Sequence, residues 1–127
     1  VKTINAELAP QAIGPYSHAI RSGDLLFCSG QTPLEPETMQ LAGETIEAQT
    51  QAALSNLERV LQAAGLQLSD VVKASVFLLD MDDFAGMNAA YAAVFGDHKP
   101  ARTTVAVRAN PLGARVEIEC IAEFHDG

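Results

Sequence analysis

The chemistry open to this chain rests on a few polar side chains set among apolar neighbours. Arg102 follows Lys99-Pro100-Ala101 directly, so a rigid proline delivers it onto what reads as the start of a strand. A guanidinium held there can receive a carboxylate through two parallel hydrogen bonds, because it is planar and permanently charged. The same charge would serve equally well in a surface or intersubunit ion pair. Glu117 stands in the middle of an apolar alternation, where a carboxylate can hold a water or transfer a proton if partial burial raises its pKa. A solvated polar face shared with Glu119 and Glu123 is the competing reading. Tyr16, in Gly14-Pro15-Tyr16-Ser17, either donates its hydroxyl to a ligand and walls a pocket or packs at a turn. Gly30, in Ser29-Gly30-Gln31, either lets a ligand approach the backbone or marks a bulge.

Other chemistries lack their residues. His18, His98 and His125 are dispersed without H-x-x-x-H spacing, so no metal site is expected. Cys28 and Cys120 form no C-x-x-C and read as reduced, strand-borne core thiols. The chain contains no G-x-S-x-G elbow, and it has no Walker A loop or G-x-G-x-x-G turn, which removes the commonest nucleotide-binding readings. Asn88 interrupts an apolar helical pattern and suits a capping role.

The elements that must position these groups are legible in the periodicity. Ser17 to Arg21 and Leu25 to Ser29 flank Ser22-Gly23-Asp24 as a hairpin. The stretch through Pro33 and Pro36 to Gly43 is then either a short third strand or a functional surface. Ala53, Leu54, Leu57, Val60, Leu61 and Ala64 recur at helical spacing, with Thr45 placed to cap the start and Gly65 to end it. Val71 to Leu79 reads as a buried strand. Asp82 and Asp83 open a second helix whose stripe is Phe84, Met87, Tyr91, Val94 and Phe95, weakened by Gly86. Thr103, Val105 and Val107 alternate with Arg102, Thr104, Ala106 and Arg108, and Val116, Ile118, Cys120, Ala122 and Phe124 with Arg115, Glu117, Glu119 and Glu123, interrupted by Ile121. A hairpin through 109–114 would bring Arg102 and Glu117 to one side of the sheet.

This order implies a mixed sheet with two helices on one face. The other face would carry Leu25, Phe27 and Ile121 beside charged groups, so a second subunit is expected to cover it, leaving charges in an intersubunit cleft. The length of 127 residues and 48% hydrophobic content suit a single domain over 1–127. A formal charge of −8, with eight Lys and Arg that form no run, argues against nucleic acid and anionic membranes as partners. No apolar stretch reaches the roughly 18 residues of a membrane span, and a cytoplasmic location is the default.

Taken together the segments resemble the RidA (YjgF) family of reactive-intermediate deaminases, also called the endoribonuclease L-PSP family. The resemblance runs through Ala12-Ile13-Gly14-Pro15-Tyr16, Ser29-Gly30-Gln31, Asn56-Leu57, Val71-Val72-Lys73, Val76-Phe77, Asp83-Phe84, Asn88, Tyr91, Pro100-Ala101-Arg102 and Val116-Glu117-Ile118-Glu119. It implies an α+β (α/β) chorismate-mutase-like domain, a six-stranded mixed sheet and a homotrimer with three intersubunit clefts. It also implies hydrolysis of 2-imino acids such as 2-iminobutanoate and 2-iminopropanoate, or their enamines, to 2-oxo acids and ammonia, without metal or cofactor. By the same resemblance Arg102 binds the substrate carboxylate and Glu117 positions or activates water, while Tyr16, Gly30 and the backbone at Thr104 complete the cleft. Three departures bear on substrate range: Lys99 replaces a frequent aromatic, Thr104 a frequent cysteine, and the turn Asn110-Pro111-Leu112 is atypical. The rival functions are a non-catalytic module for 2-oxo or short carboxylic acids, and a ribonuclease or translation inhibitor.

Overall fold

The first helix and the short turn ahead of the second each begin where a side-chain oxygen meets an otherwise orphaned backbone amide. In the computed structural model, which describes residues 1–125, Thr45 Oγ1 accepts from Ala48 N at 3.1 Å and starts helix α1 (Ile46–Ala63). The chain leaves α1 through Gly65, whose φ of 81° suits a residue without Cβ. Asp80 Oδ1 accepts from Asp82 N at 2.8 Å, capping a short 3₁₀ turn that leads into helix α2 (Phe84–Phe95). Along α1 the side chains of Ala53, Leu54, Leu57, Val60 and Leu61 are fully buried, and along α2 Met87, Tyr91 and Phe95 point inward.

Gly86 has a packing reason for being inside α2. A Cβ there would lie 2.6 Å from Ile46 Cγ2 and 3.0 Å from Glu47 Oε2, so its absence lets the second helix approach the start of the first. Gly86→Ala gains helix propensity but must push α2 off this contact, and overpacking of this kind costs about 1–3 kcal/mol. A urea midpoint lower than the parent's is the expected result; an equal or higher one would show that the helices yield freely.

The sheet has six strands in the order β1 (Lys2–Ile4), β2 (Ala19–Ser22), β3 (Leu25–Gln31), β6 (Val116–Glu123), β4 (Val71–Leu78), β5 (Ala101–Ala106). All neighbours are antiparallel except β4 and β5. The expected hairpin about Gly23 is present, shifted to Ala19–Ser22 and Leu25–Gln31. The stretch through Pro33 to Gly43 contributes one isolated bridge, Leu34 to Leu41, and the remaining strand comes from Lys2–Ile4 at the sheet edge.

The expected hairpin between Arg102 and Glu117 does not form. β4, α2 and β5 make a β-α-β unit, which requires β5 to run parallel to β4, and β6 takes the other side of β4. The connection crosses the end of β4 through the 3₁₀ turn Pro111–Gly113, where Asn110 Nδ2 donates to Phe77 O and Ala114 O at 3.2 Å each. Burial explains the choice: Val116, Ile118 and Ala122 are fully buried, so β6 belongs in the sheet's interior, whereas β5 buries less and sits at the edge.

Both helices cover the face formed by Leu26, Ala74, Val76, Leu78, Val116, Ile118 and Ala122. The opposite face carries Phe27, 44% exposed, and Val105, 42% exposed, with Phe77 and Glu117 in register between strands. No described helix is long and apolar enough to cross a membrane.

Candidate active site

On the open face, the register of β3 against β6 slips between Cys28 and Gln31. Cys28 pairs with Cys120 and Gln31 with Ile118, so β3 spends an extra residue there, a bulge that turns Gly30 toward Glu117. A Cβ at Gly30 would collide with Glu117 Oε1 and lie 2.9 Å from its Cδ. The glycine is what gives this carboxylate its space. Glu117 lines a cleft of about 610 Å³ with Tyr16, Ser29, Gln31, Glu119 and Leu112.

Burial, reinforced by the neighbouring Glu119 charge, holds the Glu117 carboxyl above its ordinary value of 4.5. The folded protein therefore keeps this proton to a higher pH than the unfolded chain, and stability is lost as the pH rises through the raised value. Glu117→Gln removes that penalty. The variant is expected to melt above the parent at pH 7 and to lose its advantage at pH 4, where both side chains are largely neutral; a destabilised variant at pH 7 would contradict this account.

Tyr16 reaches the same cleft from a loop that His18 straps down. Ala6 N donates to His18 Nδ1 at 2.9 Å, and His18 Nε2 donates to Pro10 O at 2.8 Å, which fixes a neutral ring. Asn5 Oδ1 accepts from His18 N at 3.1 Å, and Ser29 Oγ donates to Ser17 O at 2.7 Å, tying the loop to the β3 bulge. The strap was not visible in the sequence, because a single dispersed histidine carries no spacing signal.

Arg102 lies on the other side of the sheet. It is in register with Ala74, which is in register with Cys120, and all three point toward the helices, whereas Glu117 is in register with Phe77 on the open face. Within one chain the arginine and the glutamate are thus kept apart, a correction to their expected common side. The guanidinium carbon sits 4.8 Å from the Tyr91 ring centroid and 5.8 Å from that of Phe84, with Nη1 4.0 Å from Met87 Sδ. It has no ion-pair partner among the described residues. An aromatic shelf therefore holds a half-buried cation whose hydrogen bond goes to a weak sulfur acceptor rather than to an anion. Tyr91 is the residue that sequence reading assigned only to the core. Burial raises its phenol above 10.0, against the opposing pull of Arg102.

Arg102 lines a second cleft, about 360 Å³, with Asn88, Tyr91, Phe95, His98 and Lys99. Asn88, expected to cap, thus faces a cleft instead. Thr104 lies two residues along the same face of β5 and lines neither of these clefts; its hydroxyl is buried without a hydrogen-bond partner among the described residues. Cys28 and Cys120 face each other in the core, and their mutual hydrogen bond and burial push the Cys120 thiol up, the reverse of a reactive nucleophile. His98 Nε2 donates to Val71 O at 2.7 Å, and His125 contacts Asp70 at 2.9 Å.

A bulged, mixed sheet with two helices on one face, a glutamate freed by a glycine and an arginine on an edge strand define a small α+β protein of the chorismate-mutase-like type. The chain belongs to the Endoribonuclease L-PSP family, whose description matches residues 6–124, the family that includes RidA and YjgF. It is 47% identical over 121 residues to a RutC family protein of Pyrococcus horikoshii, covering 95% of this chain and 96% of that one. It is 44% identical to the 2-iminobutanoate/2-iminopropanoate deaminase of Salmonella typhimurium, covering 95% and 96%. The crystal structure of RidA from an Antarctic Psychrobacter superposes with a TM-score of 0.93 at 41% identity, covering 98% and 100%.

Proposed function

We propose that the protein hydrolyses small 2-imino acids, 2-iminobutanoate and 2-iminopropanoate among them, to 2-oxo acids and ammonia in clefts between the subunits of a homotrimer. The observation that carries this reading is Arg102: a half-buried guanidinium, stacked on Tyr91, without an anionic partner among the described residues. A cation held this way is preorganised for a carboxylate. Because Glu117 lies on the opposite face of its own sheet, the two groups meet only if one protomer supplies Arg102 and its neighbour supplies Glu117 with Tyr16 and Gly30. Phe27 and Val105 on the open face supply the apolar surface for that assembly.

The chemistry balances without an external reagent. Arg102 holds the carboxylate, and Glu117 takes a proton from a water as its oxygen bonds to C2 of the iminium. The resulting carbinolamine receives that proton on nitrogen, the C–N bond breaks to release ammonia, and the hydroxyl's proton passes to that ammonia as the C2 carbonyl forms, giving 2-oxo acid and ammonium. A carboxyl whose pKa is raised by burial is suited to both accepting and returning the proton. The net charge of −8 disfavours a ribonuclease reading, and the buried thiols of Cys28 and Cys120 suit the reducing cytoplasm.

The test is release of 2-oxobutanoate from 2-iminobutanoate generated in place by a threonine dehydratase, with semicarbazide as the competing trap. Acceleration by the protein, with a light-scattering mass three times that of the chain, is expected. Lack of acceleration with either this imine or 2-iminopropanoate, or a monomeric mass, would overturn the reading.

A further inference from the structure

We propose that the Arg102 cleft selects 2-imino and 2-oxo acids bearing a second carboxylate, with Lys99 receiving the distal one; this rests on the reading of Arg102 as the carboxylate anchor. The chain has eight basic residues, and two of them, three positions apart, line this one cleft. Several of the others are engaged elsewhere: Arg115 with Asp83, Arg59 with Asn56, Lys73 with Thr103. Neither Lys99 nor Arg102 closes an ion pair among the described residues. His98, the remaining basic side chain in the cleft, is committed through Nε2 to Val71 O at 2.7 Å, which leaves Lys99 as the second permanently basic side chain that can turn to a ligand there.

The placement separates the two cations by depth. Arg102 is half-buried on its aromatic shelf, whereas Lys99 is exposed. Pro100 between them restricts the backbone of both itself and Lys99. An acid anchored by its C1 carboxylate on Arg102 would run past Tyr91 and Phe95 toward the mouth, where an ammonium waits. Electrostatics favours the same occupant. A chain of net charge −8 repels dianions in general, and a local pair of cations in a partly desolvated cleft reverses that at one place. In the assembled cleft the iminium would face the Glu117 and Glu119 wall and both carboxylates the Arg102 and Lys99 wall. A monocarboxylic substrate leaves the Lys99 charge unused.

Stable 2-oxo acids separate this inference from turnover. Calorimetric titration of the purified protein with 2-oxoglutarate and with 2-oxobutanoate is expected to show about tenfold tighter binding of the dicarboxylate, the gain of one charge-assisted contact. Lys99→Met should abolish the preference and Lys99→Arg should keep it. Equal binding of the two acids, or a preference that survives Lys99→Met, overturns the inference even if 2-iminobutanoate is deaminated. A Lys99-dependent preference without imine turnover supports it and removes the deaminase reading instead. If neither acid binds, the carboxylate anchor falls and this inference with it.

Discussion

Arg102→Ala is expected to lower kcat/KM for 2-iminobutanoate by at least about a hundredfold. Each charge-assisted hydrogen bond to the substrate carboxylate is worth about 1.5–3 kcal/mol, and a guanidinium fork makes two of them. Loss of the anchor raises KM through lost binding and lowers kcat because the imine carbon is no longer held against the water. Arg102→Lys should fall between parent and alanine variant, since a point charge lacks the planar fork. The substitution is made at an edge strand against a shelf of Phe84 and Tyr91 that stays in place, so a far-UV spectrum like the parent's is expected alongside the loss. Parental kinetics in a folded alanine variant would remove Arg102 from the site.

How much of this was legible in the sequence depends on the range of the interactions involved. Both helices were, because their periodicity is local, as is the Thr45 cap three residues from its amide; the turn into the second helix is capped by Asp80, just ahead of the expected Asp82 and Asp83. β6 was legible from an alternation interrupted only at Ile121. Its partner was not, since nothing in a strand's own sequence says which neighbour it will take. The choice of β4 over β5 follows from the parallel crossover through α2 and from comparative burial, both properties of the assembled sheet. Gly86 shows the same limit in miniature. As a propensity it is a defect, and only the proximity of Ile46 Cγ2 reveals it as the condition for packing the helices.

The site was half legible for a related reason. Arg102, Glu117, Tyr16 and Gly30 stood out by residue type among apolar neighbours, and three of them, Glu117, Tyr16 and Gly30, do line one cleft. Which face each occupies depended on the register between strands that a single sequence does not encode. A one-strand error in adjacency placed Arg102 on the same side as Glu117, when β4 between them puts it with the helices. Tyr91 and His18 were missed because an aromatic in a helical stripe and an isolated histidine look like ordinary core. Their roles rest on long-range contacts, a guanidinium 4.8 Å away in one case and amides from Ala6 in the other.

Glu117→Gln is expected to lower kcat by about 10²–10⁴-fold, the usual contribution of a positioned acid–base group. KM should change little, because the carboxylate anchor is untouched. The geometry makes a sharper demand when the two damaged chains are combined. Arg102 and Glu117 point to opposite faces of one sheet, so on the proposed intersubunit reading a working cleft needs an intact arginine from one chain and an intact glutamate from its neighbour. Co-expressing Arg102→Ala with Glu117→Gln in equal amounts, with random assembly, would place both intact groups across roughly one cleft in four. Activity should therefore recover to about a quarter of the parent's, although each variant alone is nearly inactive. A site built within one chain predicts no recovery at all, since every chain then carries a lesion in its own centre.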